Sequence, residues 1–208
     1  LAGVSGAHPH PVREHLEFLV RFLKNPRRVG SIAPSSAALG RTMADEMRFA
    51  DQAALVELGP GTGAITRHVL ARLTPGVRFL AVDIDPAFCE QLRRRYPALD
   101  CECASAADLP ALLAQRGWRA ADHVVSGLPF ASLPGAVSRA ILTAVGASVA
   151  PGGGFTTFQY VHAYPTPASV AFRRRMATDF GPRVTRRLIL GNLPPAFVLT
   201  WTRKDSAR

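Results

Sequence analysis

Val56-Glu57-Leu58-Gly59-Pro60-Gly61-Thr62-Gly63 decides how this chain is read. An apolar run, Ala54 to Val56, leads into it, and a helical pattern, Ala64 to Leu73, follows. Asp83 lies twenty residues past Gly63 and closes a second apolar run, Val77 to Val82. A strand, a glycine turn, a helix and a second strand ending in an acid build a nucleotide-type pocket. Glycine lets the backbone adopt φ > 0 and approach a ligand closely. The Asp83 carboxylate can accept hydrogen bonds from both hydroxyls of a ribose.

The turn resembles motif I of the class I S-adenosylmethionine methyltransferases, E/D-x-G-x-G-x-G, with Glu57, Gly59, Gly61 and Gly63 in order. Gly59-x-Gly61-x-x-Ala64 also satisfies the looser dinucleotide-binding pattern. Glu57, two residues before the first glycine, favours S-adenosylmethionine, because a carboxylate can meet the ammonium of its amino-acid end. The cofactor expected is therefore S-adenosylmethionine, with S-adenosylhomocysteine as product.

The chain has 208 residues, 48% of them hydrophobic, enough for one α/β domain with a substantial core and a short extension. No apolar stretch is long enough to span a membrane. Leu1 to His8 lacks the basic start and apolar run of a signal peptide. Cys89, Cys101 and Cys103 show no metal-ligand spacing, so no metal is expected; their odd number fits a reducing cytoplasm. Cys101 and Cys103, two apart on a strand, face one side and are expected to pack as small apolar groups. The net charge of +10 attracts polyanions, either nucleic acid or an anionic bilayer. Residues 155–208 hold nine Arg and Lys against Asp179 and Asp205. Part of that excess, such as Arg173-Arg174-Arg175, has the pattern of a solvated helix face.

His10 to Lys24 reads as an amphipathic helix with Val12, Leu16, Leu19, Val20 and Leu23 on one stripe and Phe18 and Phe22 widening it. Asn25-Pro26 ends it. Ser35 or Ser36 can cap a second helix over 37–48. Residues 1–48 then form an N-terminal helical extension and 49–208 the main domain. In the main domain strands are expected at 54–58, 77–82, 99–103, 121–126 and 153–160. Helices are expected at 64–73, 86–95, 108–115, 134–149 and 167–179. Such alternation implies a parallel sheet covered on both faces. Arg183 to Leu190 and Ala196 to Arg203, joined by a short link, add an antiparallel pair. A terminal hairpin of this kind marks the Rossmann-like class I methyltransferase fold: a seven-stranded, mostly parallel sheet.

Methyl transfer from a sulfonium is an in-line displacement, so positioning supplies most of the effect. Asp83 is the expected ribose ligand, and Ile84 lies against the adenine. Asp85 is the alternative acid, or the cap of the helix beginning at Pro86. Where the family places an acid on the adenine amino group, this chain reads Ala104-Ser105-Ala106-Ala107-Asp108. Ser105 or the Ala106 backbone takes that place, and Asp108 serves as a helix cap. Ser126-Gly127-Leu128-Pro129-Phe130 stands where N-methyltransferases carry D/N-P-P-Y or N-L-P-Y, with Ser126 beside the cofactor. Gly127 replaces the Asn that accepts from a planar base amine. A flexible aliphatic amine can use the Gly127 and Leu128 carbonyls instead, with Phe130 facing the developing cation. A strand-end turn with a buried Phe is the plainer reading.

Phe22 to Ser36, with Val56 to Gly63 and the S-G-L-P-x-x-S-L-P run from Ser126 to Pro134, resembles the bacterial phospholipid N-methyltransferases. Those enzymes are related to the rRNA adenine dimethyltransferases. The resemblance implies stepwise conversion of phosphatidylethanolamine to phosphatidylcholine by a monomer held peripherally on the inner face of the cytoplasmic membrane. Anionic lipids would be partners and nucleic acid would not. The first helix suits an interfacial anchor, or a cover for the cleft. Tyr160 is a candidate donor to the lipid phosphate. His162 is a candidate acceptor of the amine proton or a phosphate ligand. Arg186 and Arg187 are further phosphate candidates. An RNA adenine N6-methyltransferase is the competing reading, and the basic charge suits it. A non-enzymatic protein on a retained fold is the third.

Overall fold

The computed structural model describes residues 36–204. The expected helix at 10–24 and the segment from Phe22 to Ser35 lie outside the described residues.

Helix α1 spans Ala37–Glu46 and is capped by Ser36, whose hydroxyl accepts from the Leu39 N–H at 3.1 Å. Strands and helices then alternate: β1 Ala54–Leu58, α2 Thr66–Leu70, β2 Arg78–Asp83, α3 Pro86–Arg95, β3 Asp100–Cys103 and α4 Leu109–Gln115. They continue as β4 Ala121–Ser126, α5 Gly135–Ser148, β5 Val149–Tyr160, α6 Pro167–Asp179, β6 Arg183–Ile189 and β7 Ala196–Thr202. The sheet has seven strands in the order β3-β2-β1-β4-β5-β7-β6. The first five are parallel, and β7 is antiparallel to both β5 and β6. This is the Rossmann-like architecture expected from the sequence.

Helix α1 ends two residues short of the expected 48, and two elements depart from the expected bounds by three residues or more, for local reasons. Helix α2 is shorter than 64–73 because the glycine turn runs on through Gly63, at φ +82°, and Thr74-Pro75 cuts off its other end. Strand β5 begins earlier than 153, since Val149 already pairs with Ala121 before the register shifts at the glycines that follow.

The sheet separates two cores. On one face Leu39 and Met43 of α1, Ile65, Val69 of α2 and Leu92 of α3 pack on Leu55, Phe79 and Val125. On the other, Leu112 and Leu113 of α4, Ile141 of α5 and Phe172 and Met176 of α6 pack on Val56, Leu80 and Val124. Every residue of β1 is buried, as a central strand covered on both faces requires. Cys101 is buried, as expected, but Cys103, the last residue of the edge strand β3, is exposed. Among the described residues no helix is long and apolar enough to cross a membrane.

Candidate active site

The carboxyl ends of β1, β2 and β4 meet where the strand order reverses, the place where open α/β sheets bind ligands. Gly59, at φ +69°, turns the chain out of β1, and its N–H donates to the Val82 carbonyl at 2.9 Å. Gly61 sits at φ +53°, and a Cβ there would meet no atom within 4 Å. The glycine at this position therefore answers backbone conformation, and leaves open space on the ligand side of the turn.

Asp83 ends β2 and is 5% exposed. Its Oδ2 accepts from the Gly61 N–H and its Oδ1 from the Asp85 N–H, each at 2.9 Å. Each oxygen keeps a lone pair for a ribose hydroxyl. Burial raises the Asp83 pKa, and the backbone donors of Asp85 and Gly61 oppose that. Asp85 caps α3 through the Ala87 N–H, at 2.9 Å, and so is spent on the helix. Asp83, Ile84, Ala106 and Leu128 line one cleft. It is a narrow cleft, about 20 Å³, at the carboxyl ends of β1, β2 and β4. The Ser105 hydroxyl accepts from the Ala107 N–H at 3.2 Å and caps a single 3₁₀ turn, Ala106–Asp108. Ser105 performs the capping expected of Asp108, whose side chain caps nothing.

Glu57 lies wholly inside the protein, on β1 below the turn. Burial first, and the Asp83 charge, lift its carboxyl to about 8. The Thr66 hydroxyl and N–H are close enough to favour the charged form. Neither closes a hydrogen bond of normal geometry, and both carboxylate oxygens are unpaired among the described residues. An orphaned buried carboxylate beneath an open glycine turn is what a ligand cation would satisfy. With Asp83 and the open side of Gly61, it fits the amino-acid and ribose ends of S-adenosylmethionine.

The β4 end is built tightly. Ser126 is fully buried; its Oγ accepts from the Leu128 N–H at 3.3 Å and its carbonyl from the Thr157 hydroxyl at 3.0 Å. Gly127 donates to the Leu58 carbonyl at 2.8 Å. A Cβ on Gly127 would stand 2.6 Å from the Gly59 carbonyl oxygen, which leaves no room for an Asn side chain. The Leu128 carbonyl accepts from the Phe130 N–H at 3.0 Å; no hydrogen bond to the Gly127 carbonyl is found among the described residues. Phe130 does not face the cleft. It is 5% exposed, stacks on Phe172 at 4.8 Å and meets Phe155 edge-on at 6.2 Å. The apolar interior between α6 and the sheet holds it, so the plainer reading of that ring describes its position.

Tyr160 and His162 come together at the end of β5, rings stacked 5.6 Å apart. Tyr160 is half-buried, and burial raises its pKa, so it remains a hydroxyl donor at neutral pH. Register pairs Ser126 with Thr157, which puts Tyr160 one strand over and three residues farther along than Ser126. Arg186 and Arg187 are neighbours on β6 and point to opposite faces. Arg187 Nε is 2.5 Å from the buried Glu46 carboxylate, while Arg186 lies over the Phe197 ring at 5.2 Å. The structure brings neither to the cleft, because β6 is the far edge of the sheet.

One polar network was not foreseen. Glu46 accepts from the Thr185 and Thr200 hydroxyls, Thr200 bonds Thr156 at 3.1 Å, and Thr156 bonds His123 Nε2 at 2.9 Å. A carboxylate only accepts, so the chain of donors runs toward Glu46 and makes His123 the Nε2–H tautomer. Burial holds His123 neutral down to about 3. The sequence signal was a histidine among the residues of β4, Ala121–Ser126; its partners are fixed by strand register.

The fold and this site define a class I S-adenosylmethionine-dependent methyltransferase, and the chain belongs to that family. A methyltransferase-domain family model matches residues 56–155. An ornithine lipid N-methyltransferase of Singulisphaera acidiphila is 35% identical over 188 residues, covering 89% of this chain and 94% of that one. A ribosomal RNA small subunit methyltransferase A of a Synechococcus strain is 46% identical over 52 residues only, 25% of this chain and 17% of its own. The fold is shared with a Burkholderia thailandensis 1,6-didemethyltoxoflavin N1-methyltransferase solved with S-adenosylhomocysteine. That structure has a TM-score of 0.67 at 15% identity, covering 98% of this chain and 95% of that one.

Proposed function

We propose that this protein methylates the headgroup amine of a membrane phospholipid. Phosphatidylethanolamine is converted stepwise through its mono- and dimethyl forms to phosphatidylcholine, by a monomer on the inner face of the cytoplasmic membrane. The observation that carries the reading is Gly127. With its Cβ position 2.6 Å from the Gly59 carbonyl, no side-chain acceptor can stand there for a planar base amine. A backbone carbonyl suits an aliphatic amine that can approach from more directions. The near full-length similarity to a lipid N-methyltransferase supports the same substrate class.

When bound, S-adenosylmethionine supplies an electrophilic methyl on a sulfonium. Asp83 holds the ribose, Ile84 and Ala106 flank the adenine, and Glu57 balances the ammonium. The Gly127 carbonyl orients the amine for in-line attack. An ammonium has no lone pair, so a proton must leave first; exposed His162 accepts it, and the Tyr160 hydroxyl donates to the lipid phosphate.

A second reading, an ornithine lipid as substrate, is favoured by the named relative. RNA is weaker, since that match spans a quarter of the chain. Labelled S-adenosylmethionine would be given phosphatidylethanolamine vesicles, ornithine lipid vesicles and ribosomal RNA in parallel. Label in mono-, di- and trimethylated phosphatidylethanolamine is expected. Label only in ornithine lipid would move the substrate, and label only in RNA would overturn the lipid reading.

A further inference from the structure

We infer that the tip of the β6–β7 hairpin, with the residue that follows β5, is the surface by which this chain docks on a lipid bilayer; the inference rests on the lipid reading above. Among the described residues the large apolar side chains left exposed are Val161 at 38%, Leu188 at 49%, Leu190 at 73% and Leu193 at 80%. Strand register gathers all four at one corner. Tyr160 pairs with Ala196, and Ala196 with Ile189, so Val161, Leu190 and Leu193 lie just beyond the last paired row. The Val161 N–H donates to the Pro195 carbonyl at 2.9 Å and ties the end of β5 to the hairpin loop.

The loop is braced, so its leucines are held outward. Asn192 is 3% exposed; its Oδ1 accepts from the Ser36 N–H at 2.9 Å and its Nδ2 donates to the Pro194 carbonyl at 2.6 Å. Exposed Arg186 sits just behind the tip, while its neighbour Arg187 is held by the buried Glu46 carboxylate. Apolar side chains ahead of a guanidinium group match the layering of acyl chains beneath anionic headgroups.

Position argues for a bilayer over a protein partner. The tip is on the same sheet edge as the cofactor cleft, three strand spacings from β4, about 14 Å, and about 10 Å beyond the level of Ser126. Interfacial elements sink roughly 5–10 Å. A tip at that depth holds the Gly127 turn at headgroup level, where a lipid amine can enter without leaving the membrane.

The full-length chain and its Leu190→Ser/Leu193→Ser variant would be sedimented with mixed phosphatidylethanolamine–phosphatidylglycerol vesicles. In parallel, methyl transfer would be measured on the same lipids dispersed in detergent micelles. Each leucine is expected to contribute about tenfold to vesicle partitioning, so the pair weakens it roughly 100-fold. Micellar turnover is expected to be unchanged. Vesicle binding equal to wild type would overturn the inference, while micellar turnover would leave the lipid reading standing. Vesicle binding lost in the variant, with no turnover of any lipid by wild type, would keep the docking surface and retire the substrate. A wild-type chain that ignores vesicles and self-associates through these leucines would assign the tip to a second copy and overturn the inference.

Discussion

Binding of S-adenosylmethionine should take a proton away from Glu57. The Glu57 carboxyl is buried, lifted to about 8, and has no hydrogen-bond partner among the described residues. The free protein therefore holds it protonated at neutral pH, while the cofactor ammonium requires the carboxylate. The fraction ready to bind sets the apparent affinity. With a pKa of about 8 the dissociation constant is raised about 100-fold at pH 6, about 11-fold at pH 7 and about twofold at pH 8. The ligand's own α-amino group titrates near 8, so affinity should peak there and fall above it. Calorimetric titration from pH 6 to 9, in buffers of different ionisation heat, would show the slope and the released proton. Glu57→Gln should flatten the limb below pH 7. An affinity that is the same at pH 6 and pH 8 in the wild type, or a slope that survives in Glu57→Gln, would refute the assignment.

Asp83→Ala should abolish measurable S-adenosylmethionine binding while the chain stays folded, as checked by calorimetry beside circular dichroism; retained binding would remove Asp83 from the ribose. Gly61→Val should do the same for a different reason: the space is open, but φ +53° disfavours a β-branched residue and the side chain would project into the ligand's path. Gly127→Ala should lower stability by about 1–3 kcal/mol in urea unfolding, because its Cβ meets a backbone oxygen and not a yielding side chain. His123 has its pKa lowered from 6.5 to about 3, so the unfolded state binds more protons between those values. Its contribution is complete above pH 6.5 and declines as pH falls toward 3. Relative to wild type, His123→Asn should gain stability by roughly tenfold in the unfolding constant per pH unit below 6.5.

Much of this protein was legible in one dimension. The contiguous apolar runs, the glycine turn and Asp83 at the end of β2 need only local rules, and they located the central strands of the sheet. Ser36 and Asp85 followed from capping chemistry. These features depend on residues close in sequence, where backbone geometry leaves few options. Tertiary structure decided what a side chain faces. Phe130 looked like an aromatic wall of the site and proved to be core, because α6 brings Phe172 against it. Arg187 looked like a free cation and meets Glu46, 141 residues earlier in the chain. Glu57 was legible as a residue, but its isolation beneath the turn and its raised pKa arise from burial on both faces of β1. The four exposed apolar residues of the hairpin corner are unremarkable in sequence. They become a surface because register sets the ends of three strands side by side, a consequence of long-range pairing that no local pattern encodes.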